Sequence, residues 1–338
     1  MNYAQTLTQL LEHRDLTHAD MLDLMQHIMG GQLTAAQIAA VLVALRVKGE
    51  TVSEIAAAAE VMRELSTKVN VQDDSHLIDT CGTGGDGTQT FNISTVSAIV
   101  AAAAGAKVAK HGGRSVSSKC GSADILEKLG VNVNLTPDQV AHCVENIGVG
   151  FMFAPNHHIA MKHAAPVRRE LGVRTLFNLL GPLTNPAGAK NQVMGVFLRD
   201  LTTKLAHVLQ QLGSRHVLVV HGSDGMDEIS ISAPTFIAEL KDGKISEYTV
   251  TPEEFGLKSA PVNAIQVSDA DSAMAMLVSV LDNQAGAARD IVLLNAGAAI
   301  YVAGLADSLA NGVKKAAEII SSGAAKHKLA QLIEASNT

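Results

Sequence analysis

Tryptophan is absent from this chain of 338 residues and only 3% of it is aromatic, although 47% is hydrophobic. Ala, Val, Leu and Ile therefore have to fill the interior, and alanine-rich stretches favour helix. Cysteine is scarce as well. Cys81, Cys120 and Cys143 are odd in number and lack metal-ligand spacing, which excludes a disulfide framework and suits thiols in a reducing compartment. No basic segment followed by a long apolar run opens the sequence, so neither a secretory signal nor a membrane span is expected, and the chain reads as soluble and cytosolic. Basic residues are outnumbered: the formal net charge of -7 argues against a general binder of nucleic acid or anionic membrane. An anion site in such a chain must be concentrated in one place.

What is present is length enough for two domains, or for one large domain with an appendage. The first seventy or so residues carry helical periodicity over Tyr3 to Glu12, Thr17 to Met29, Thr34 to Lys48 and Thr51 to Leu65. Thr34 with Gln37 predicts a capping box, and Gly30-Gly31 and Gly49 supply breaks. From His76 short apolar strands alternate with helices. Strands are expected at Leu77 to Cys81, Ala106 to Ala109, Val149 to Phe153, Gln192 to Leu198 and His216 to Val220, with helices at Ser94 to Ala104, Ser122 to Leu129, Pro137 to Asn146 and Thr202 to Leu212. This alternation predicts an α/β fold with a mostly parallel central sheet beside a small helical domain. A hairpin is expected at Asp242-Gly243 and a helical region from Ser272 to about Ala335. The stretch from His157 to Leu180 is again helix-like and is expected to fold back onto the N-terminal helices.

In open α/β sheets ligands bind beyond the C-terminal ends of strands, and four polar clusters lie in such places. The first is the loop Gly82-Thr83-Gly84-Gly85-Asp86-Gly87, which runs through Thr90 and Asn92 into a helix. Glycines admit an anion close to the backbone, and a helix N-terminus adds oriented N–H groups. The loop also satisfies a dinucleotide fingerprint, but no Asp or Glu occurs between Asp86 and Asp124 to hold a ribose hydroxyl. The second cluster is Lys107 to Lys119, with Lys107, Lys110, His111, Arg114 and Lys119 among Ser115, Ser117 and Ser118 and no acidic residue. It is read as a polyanion cradle against the alternative of a solvated face. The third is Asp227-Glu228, a pair suited to Mg2+ when it lies beside a phosphate site. The fourth runs from His157-His158 through Lys162-His163 to Arg168-Arg169 and Arg174. Zinc, a surface helix face, or an arginine gripping a carboxylate substrate are its alternatives.

Several of these segments occur together in one family. Gly82 to Asp86, Asn92-Ile93-Ser94-Thr95, Lys110-His111-Gly112 with Arg114, Gly121 to Asp124, Pro166 to Gly172 with Arg174-Thr175, Phe177-Asn178, Gly181-Pro182-Leu183, Asn185-Pro186 and Asp227-Glu228 resemble the anthranilate phosphoribosyltransferases over nearly the whole chain. The resemblance implies transfer of a phosphoribosyl group from phosphoribosyl pyrophosphate to anthranilate in tryptophan biosynthesis, with Mg2+ as cofactor. It implies a helical domain of residues 1–72 joined in space by about 163–188, through which homodimers form. Residues 73–338 would be the α/β domain that binds phosphoribosyl pyrophosphate, in the nucleoside phosphorylase and phosphoribosyltransferase class.

Carried over by position, Gly82, Gly85, Asp86, Thr90, Asn92, Ser94, Thr95, Lys110 and Ser122 contact the phosphoribosyl substrate, Ser94, Asp227 and Glu228 serve magnesium, and Arg168 takes the anthranilate carboxylate. Ile93, His111, Gly112, Gly113, Arg114, Ser117 and Ser118 complete the expected substrate-binding set. No residue is assigned a catalytic role; His111 either accepts a proton after attack or holds its loop. Gly113 departs from the family pattern, which has Asn there. A pyrimidine nucleoside phosphorylase of the same fold and a non-catalytic nucleic-acid binder are the competing readings.

Overall fold

The computed structural model describes residues 1–114 and 120–338. Its centre is one seven-stranded sheet: β1 (Leu77–Asp79), β2 (Lys107–Gly112), β3 (Val149–Phe153), β4 (Asn191–Gly195), β5 (His216–Gly222), β6 (Thr235–Lys241) and β7 (Lys244–Val250). The spatial order is β3-β2-β1-β4-β5-β6-β7. The first five strands are parallel and β6 and β7 are antiparallel additions. From β1 the chain winds outward to β2 and β3, then returns to β4 on the other side of β1 and winds outward again. β1 and β4 therefore flank the point where the winding reverses, the position at which such sheets open a ligand crevice.

Alternation along the inner strands divides the core into two layers. On β5, Leu218 and Val220 face a cluster built with the helices Ile93–Ala103, Ala287–Val302 and Leu309–Ser321. Val217 and Val219 face the opposite cluster, which contains the helix Leu201–Gln211, the four N-terminal helices and Ala164 to Leu183. The N-terminal helices thus share a continuous core with one face of the sheet. The returning segment packs into them through Val167, Leu176, Phe177 and Leu180.

The N-terminal helices are Tyr3–Leu11, His18–Met29, Ala35–Lys48 and Val52–Glu64. Thr34 and Gln37 form the expected capping box, with the Gln37 amide donating to Thr34 Oγ1 at 3.3 Å and the Thr34 amide to Gln37 Oε1 at 2.9 Å. The hairpin at Asp242-Gly243 has both residues at positive φ, 51° and 73°, which matches the twist of the two strands. Three expectations change. His157 to Leu180 is broken into four short helices, because Pro155 and Pro166 each start one and Gly172, at φ 64°, ends the one that Pro166 starts. The C-terminal region is four helices separated at Gly286, Gly304 and Gly323. β2 runs to Gly112 rather than stopping at Ala109, since its pairing with β3 continues through Lys110, His111 and Gly112. Among the described residues, no helix is long and apolar enough to cross a membrane.

Candidate active site

The glycine-rich loop leaves β1 directly into the crevice. Gly84, Gly85 and Gly87 have φ of 65°, 76° and 76°, a left-handed backbone that a side chain would strain. The loop is held at three points. Thr83 N donates to the Gly195 carbonyl at the end of β4 (2.9 Å), and Gly84 N donates to Asp227 Oδ2 (2.8 Å). The Asp86 carboxylate accepts from Thr88 N and Oγ1 at 3.2 and 2.5 Å. Gln89 to Phe91 then pair with residues 265–267, and Thr90 faces Gln266 across that bridge. The following helix begins at Ile93, six residues beyond Gly87, so the loop lacks the immediate turn into helix of a dinucleotide fingerprint.

Asp227 and Glu228 come down from the loop after β5 onto this same point. Asp227 N lies 3.5 Å from Asp86 Oδ2, and the Ser94 amide, in the first turn of Ile93–Ala103, donates to Glu228. Burial, and then Asp86, push the Asp227 carboxyl up to about 7. Burial, and then Asp227, raise Glu228 well above the ordinary carboxylate range. Crowded, desolvated carboxylates of this kind are held below their natural charge until a cation joins them. Among the described residues, no three His, Cys, Asp or Glu side chains form a self-sufficient metal cage. The donor set is all oxygen, the two carboxylates lining one small cleft with Thr80 and Ser94, and this fits Mg2+ better than a softer metal.

Lys110 is the cation that answers them from below. It is 3% exposed, and its Nζ donates to the Thr80 carbonyl (3.0 Å), Thr80 Oγ1 (3.3 Å) and Ser94 Oγ (3.3 Å). Because β2 is longer than expected, Lys110 and His111 are buried strand residues rather than members of a basic loop. The proposed cradle is correspondingly smaller. Lys107 sits at the far end of β2 on Asp73 (2.6 Å), and the Arg114 guanidinium is engaged by Asp124 and Glu127 at 2.8 and 2.6 Å. Ser117, Ser118 and Lys119 lie outside the described residues. Among the described residues Asn92 Oδ1, Thr95 Oγ1 and Ser97 Oγ are buried without a hydrogen-bond partner, so the helix start offers polar groups to a ligand. Ser122 opens the helix Ser122–Lys128 against Gly112, where an added Cβ would stand 3.0 Å from Phe151 and 3.2 Å from Ser122.

The opposite wall is the returning segment. His111 Nδ1 donates to the Gly181 carbonyl (3.2 Å), and its ring lies 5.0 Å from that of His158. Burial, and then His158, push the His111 imidazole down to about 3, so it is neutral with an unpartnered Nε2. Arg168 lies over Phe177, with 5.4 Å from its guanidinium carbon to the ring centroid, and is half-buried without an acidic partner among the described residues. Arg174 stacks on Phe197 at 4.0 Å and donates to the Gly85 carbonyl, tying this segment to the glycine loop. The histidines of the fourth cluster do not converge: His157 Nδ1 donates to the Thr67 carbonyl, whereas His163 lies against Gly31.

Of the groups that hold this wall together, only Asn185 stands in a family segment named from the sequence, and without a role there. Asp79, at the end of β1, is 1% exposed and accepts from His111 N (3.2 Å) and Asn185 Nδ2 (2.7 Å). Burial raises it to about 6 against those bonds and Lys110. Asn185 also donates to the Ala109 carbonyl (2.9 Å), and Gln192 Nε2 to the Pro182 carbonyl (2.8 Å). An acid at the end of an apolar strand was the available signal for Asp79; for Gln192 there was none.

A helical bundle beside an α/β sheet, with an oxygen-lined anion and metal crevice at the switch point, defines a class of group-transfer protein. Residues 4–66 match the glycosyl transferase family helical bundle domain and residues 74–326 the glycosyl transferase family a/b domain. The anthranilate phosphoribosyltransferase of Methylobacillus flagellatus is 64% identical over 326 residues, 96% of each chain. That of Nitrosomonas europaea is 61% identical over 337 residues, 100% of this chain and 99% of the relative. The crystal structure of anthranilate phosphoribosyltransferase from Thermus thermophilus superposes with a TM-score of 0.93 at 42% identity, covering 98% of this chain and 99% of that one. The Saccharomyces cerevisiae enzyme in complex with PRPP and Mg superposes with a TM-score of 0.90 at 27% identity, covering 99% and 98%. The chain belongs to the anthranilate phosphoribosyltransferase family.

Proposed function

We infer that this chain transfers the 5-phosphoribosyl group from phosphoribosyl pyrophosphate to the amino nitrogen of anthranilate, releasing pyrophosphate, as a cytosolic step of tryptophan biosynthesis. The observation that carries the reading is the meeting of Asp86, Asp227 and Glu228 with buried Lys110 and the N-terminus of the helix Ile93–Ala103. Mg2+, held by Asp227 and Glu228 with Ser94, would offset the charge that grows on departing pyrophosphate.

The chain's own groups do the rest. The glycine-loop amides, Thr90, Asn92, Thr95 and Ser122 receive the phosphoribosyl donor, and Lys110 holds Thr80 and Ser94 in place below it. The C–O bond to pyrophosphate breaks with its electrons leaving on oxygen, and the anthranilate nitrogen supplies the new bond and then loses a proton. His111, pushed down to about 3, is poorly matched to take that proton near neutrality, and its bond to Gly181 makes it a spacer between β2 and the acceptor wall. Arg168 offers a free guanidinium to the anthranilate carboxylate, so orientation rather than acid–base chemistry is the acceptor wall's contribution. A phosphorylase would have no use for a carboxylate-gripping arginine, and this favours the transferase.

The division into residues 1–72 with about 163–188, and 73–338, and a homodimer through the helical part, belong to the same reading. Val43 and Val47, 40% and 67% exposed on the helix Ala35–Lys48, are an apolar face suited to that contact.

The test is anthranilate fluorescence followed with and without Mg2+ and phosphoribosyl pyrophosphate. Consumption that requires both is expected; consumption without Mg2+, or phosphorolysis of thymidine instead, would overturn the reading. Arg168→Lys keeps the charge but loses the planar fork. The Michaelis constant for anthranilate should rise about tenfold, the scale of one charge-assisted hydrogen bond, while that for the donor stays within twofold. Gly113→Asn should act in the opposite direction. Among the described residues a Cβ at Gly113 meets nothing within 4 Å, so there is room for the family amide, and the anthranilate constant should fall roughly threefold to tenfold. An unchanged anthranilate constant in steady-state kinetics would exclude this role for position 113.

A further inference from the structure

The polar residue that ties the carboxylate loop to the rest of the molecule is far from every motif in the sequence. Ile291 to Val302 of the helix Ala287–Val302 are all buried, and Asn295, 3% exposed, is a carboxamide in the middle of that apolar run. A core residue at this place needs no polar atoms, and a buried amide is costly unless all of it is bonded. It is fully bonded. Asn295 Oδ1 accepts from Ile229 N (2.9 Å), and Nδ2 donates to the Ile229 carbonyl (2.9 Å) and to the Ile291 carbonyl (2.9 Å). The side chain thus acts as a strand partner for one residue, the one that follows Glu228.

The same loop is closed on its other side by the Gly222 amide, which donates to the Met226 carbonyl (2.9 Å). Asp227 and Glu228 are left spanning two fixed points. Asn295 lines the cleft that contains them, together with Ser94 and Ser97. The helix behind it cannot slide, because Gly297 and Gly312 bring two helix backbones into contact: an added Cβ at Gly312 would stand 2.2 Å from the Gly297 carbonyl oxygen. An amide also anchors the loop without adding charge, which a further carboxylate could not do beside Asp86, Asp227 and Glu228.

We propose that Asn295 is a positioning residue that sets the Asp227-Glu228 pair for the metal by holding Ile229 from both backbone groups. The proposal rests on the magnesium reading of that pair. Asn295→Leu removes all three hydrogen bonds at similar volume; Asn295→Asp keeps the acceptor for Ile229 N but sets an oxygen against two carbonyls. Binding of Mn2+ to the full-length chain in the presence of phosphoribosyl pyrophosphate, read by electron paramagnetic resonance, is measured beside circular dichroism and a urea midpoint. Both variants should fold, bind Mn2+ about tenfold or more weakly, and regain turnover as Mg2+ is raised, with the anthranilate Michaelis constant within twofold of the parent. Parental Mn2+ affinity in either folded variant would overturn the proposal, and failure of both to fold would reduce Asn295 to a core residue and overturn it too. If the unmutated chain binds no Mn2+ under these conditions, the magnesium reading itself fails, and the proposal with it.

Discussion

Asp227→Asn is expected to abolish most of the activity while making the metal-free protein more stable. The two effects share one cause. Burial and the neighbouring Asp86 raise the Asp227 carboxyl from an ordinary 3.8 to about 7, so the native fold disfavours the ionised form. A group whose folded value is raised contributes stability that is complete below its unfolded value and is lost as pH rises through the folded one. The metal-free parent should therefore lose thermal stability between about pH 4 and pH 7, and Asn, which cannot ionise, should remove this part of the loss. The amide can still accept the Gly84 N–H that Asp227 Oδ2 takes at 2.8 Å, so the loop has no reason to collapse. Activity moves the other way, because a neutral ligand gives up charge at the metal site. A loss of kcat/KM of about a thousandfold, roughly 4 kcal/mol, is the scale expected for one preorganised electrostatic partner. Thermal melts from pH 4 to pH 8.5, with and without Mg2+ and phosphoribosyl pyrophosphate, check the stability half, and steady-state kinetics the activity half. Added metal and donor should stabilise the parent most at the alkaline end and the variant little at any pH. A variant that is less stable than the parent at pH 8, or one that keeps a tenth of its activity, would refute the account.

The parts of this molecule legible in the sequence are those with a local cause. The capped N-terminal helices, the strand and helix alternation from His76 and the Asp242-Gly243 hairpin each follow from a few adjacent residues. The end of β2 does not. Lys110 and His111 have the composition of a loop, yet β3 supplies partners through Gly112 and buries them, so tertiary pairing overrides residue type. That difference changes their chemistry. Lys110 is a buried cation held on Thr80 and Ser94 beneath the carboxylates rather than a member of a loop, and His111 is a neutral imidazole bonded to Gly181.

The site divides in the same way. Glycine loop, carboxylate pair and Arg168 carry distinctive chemistry and could be named. Their supports are different: Asn185 stands in a family segment that assigns it no role and Asn295 in none, and what they do depends on backbone groups distant in the chain, 76 residues away at Ala109 and 66 at Ile229. Arg114 differs in the other direction. Its residue type suits an anion, but Asp124 and Glu127, brought round by the helix Ser122–Lys128, engage it first. Residue type names candidates for chemistry, and only the competition for each candidate's hydrogen bonds decides which of them face a ligand.

Gly195 is the least conspicuous of these supports, and Gly195→Ala is expected to be among the most damaging single substitutions in the chain. β4 ends against the loop that carries the carboxylates. A Cβ on Gly195 would lie 1.5 Å from the Asp227 carbonyl oxygen and 2.4 Å from its carbon. Neither backbone can move freely. Gly195 offers its carbonyl to Thr83 N at 2.9 Å, and the carboxylate loop is fixed by Met226 to Gly222 and by Ile229 to Asn295 at 2.9 Å each. Gly82 is bound to the same junction, since a Cβ there would stand 3.1 Å from both Asp227 Oδ2 and the Gly195 carbonyl. One methyl group must therefore part the glycine loop from the metal loop, at a cost at or above the roughly 3 kcal/mol upper end of ordinary overpacking. Urea unfolding should show that loss, and whatever protein still folds should bind Mn2+ and phosphoribosyl pyrophosphate more weakly by at least about tenfold, because both loops are displaced together. Gly113→Ala, where the added methyl meets nothing within 4 Å among the described residues, is the matched control and should leave stability within about 0.5 kcal/mol. Parental stability and metal affinity in Gly195→Ala would mean that the two loops are not held in register by this contact, and that the carboxylates are positioned from the Asn295 side alone.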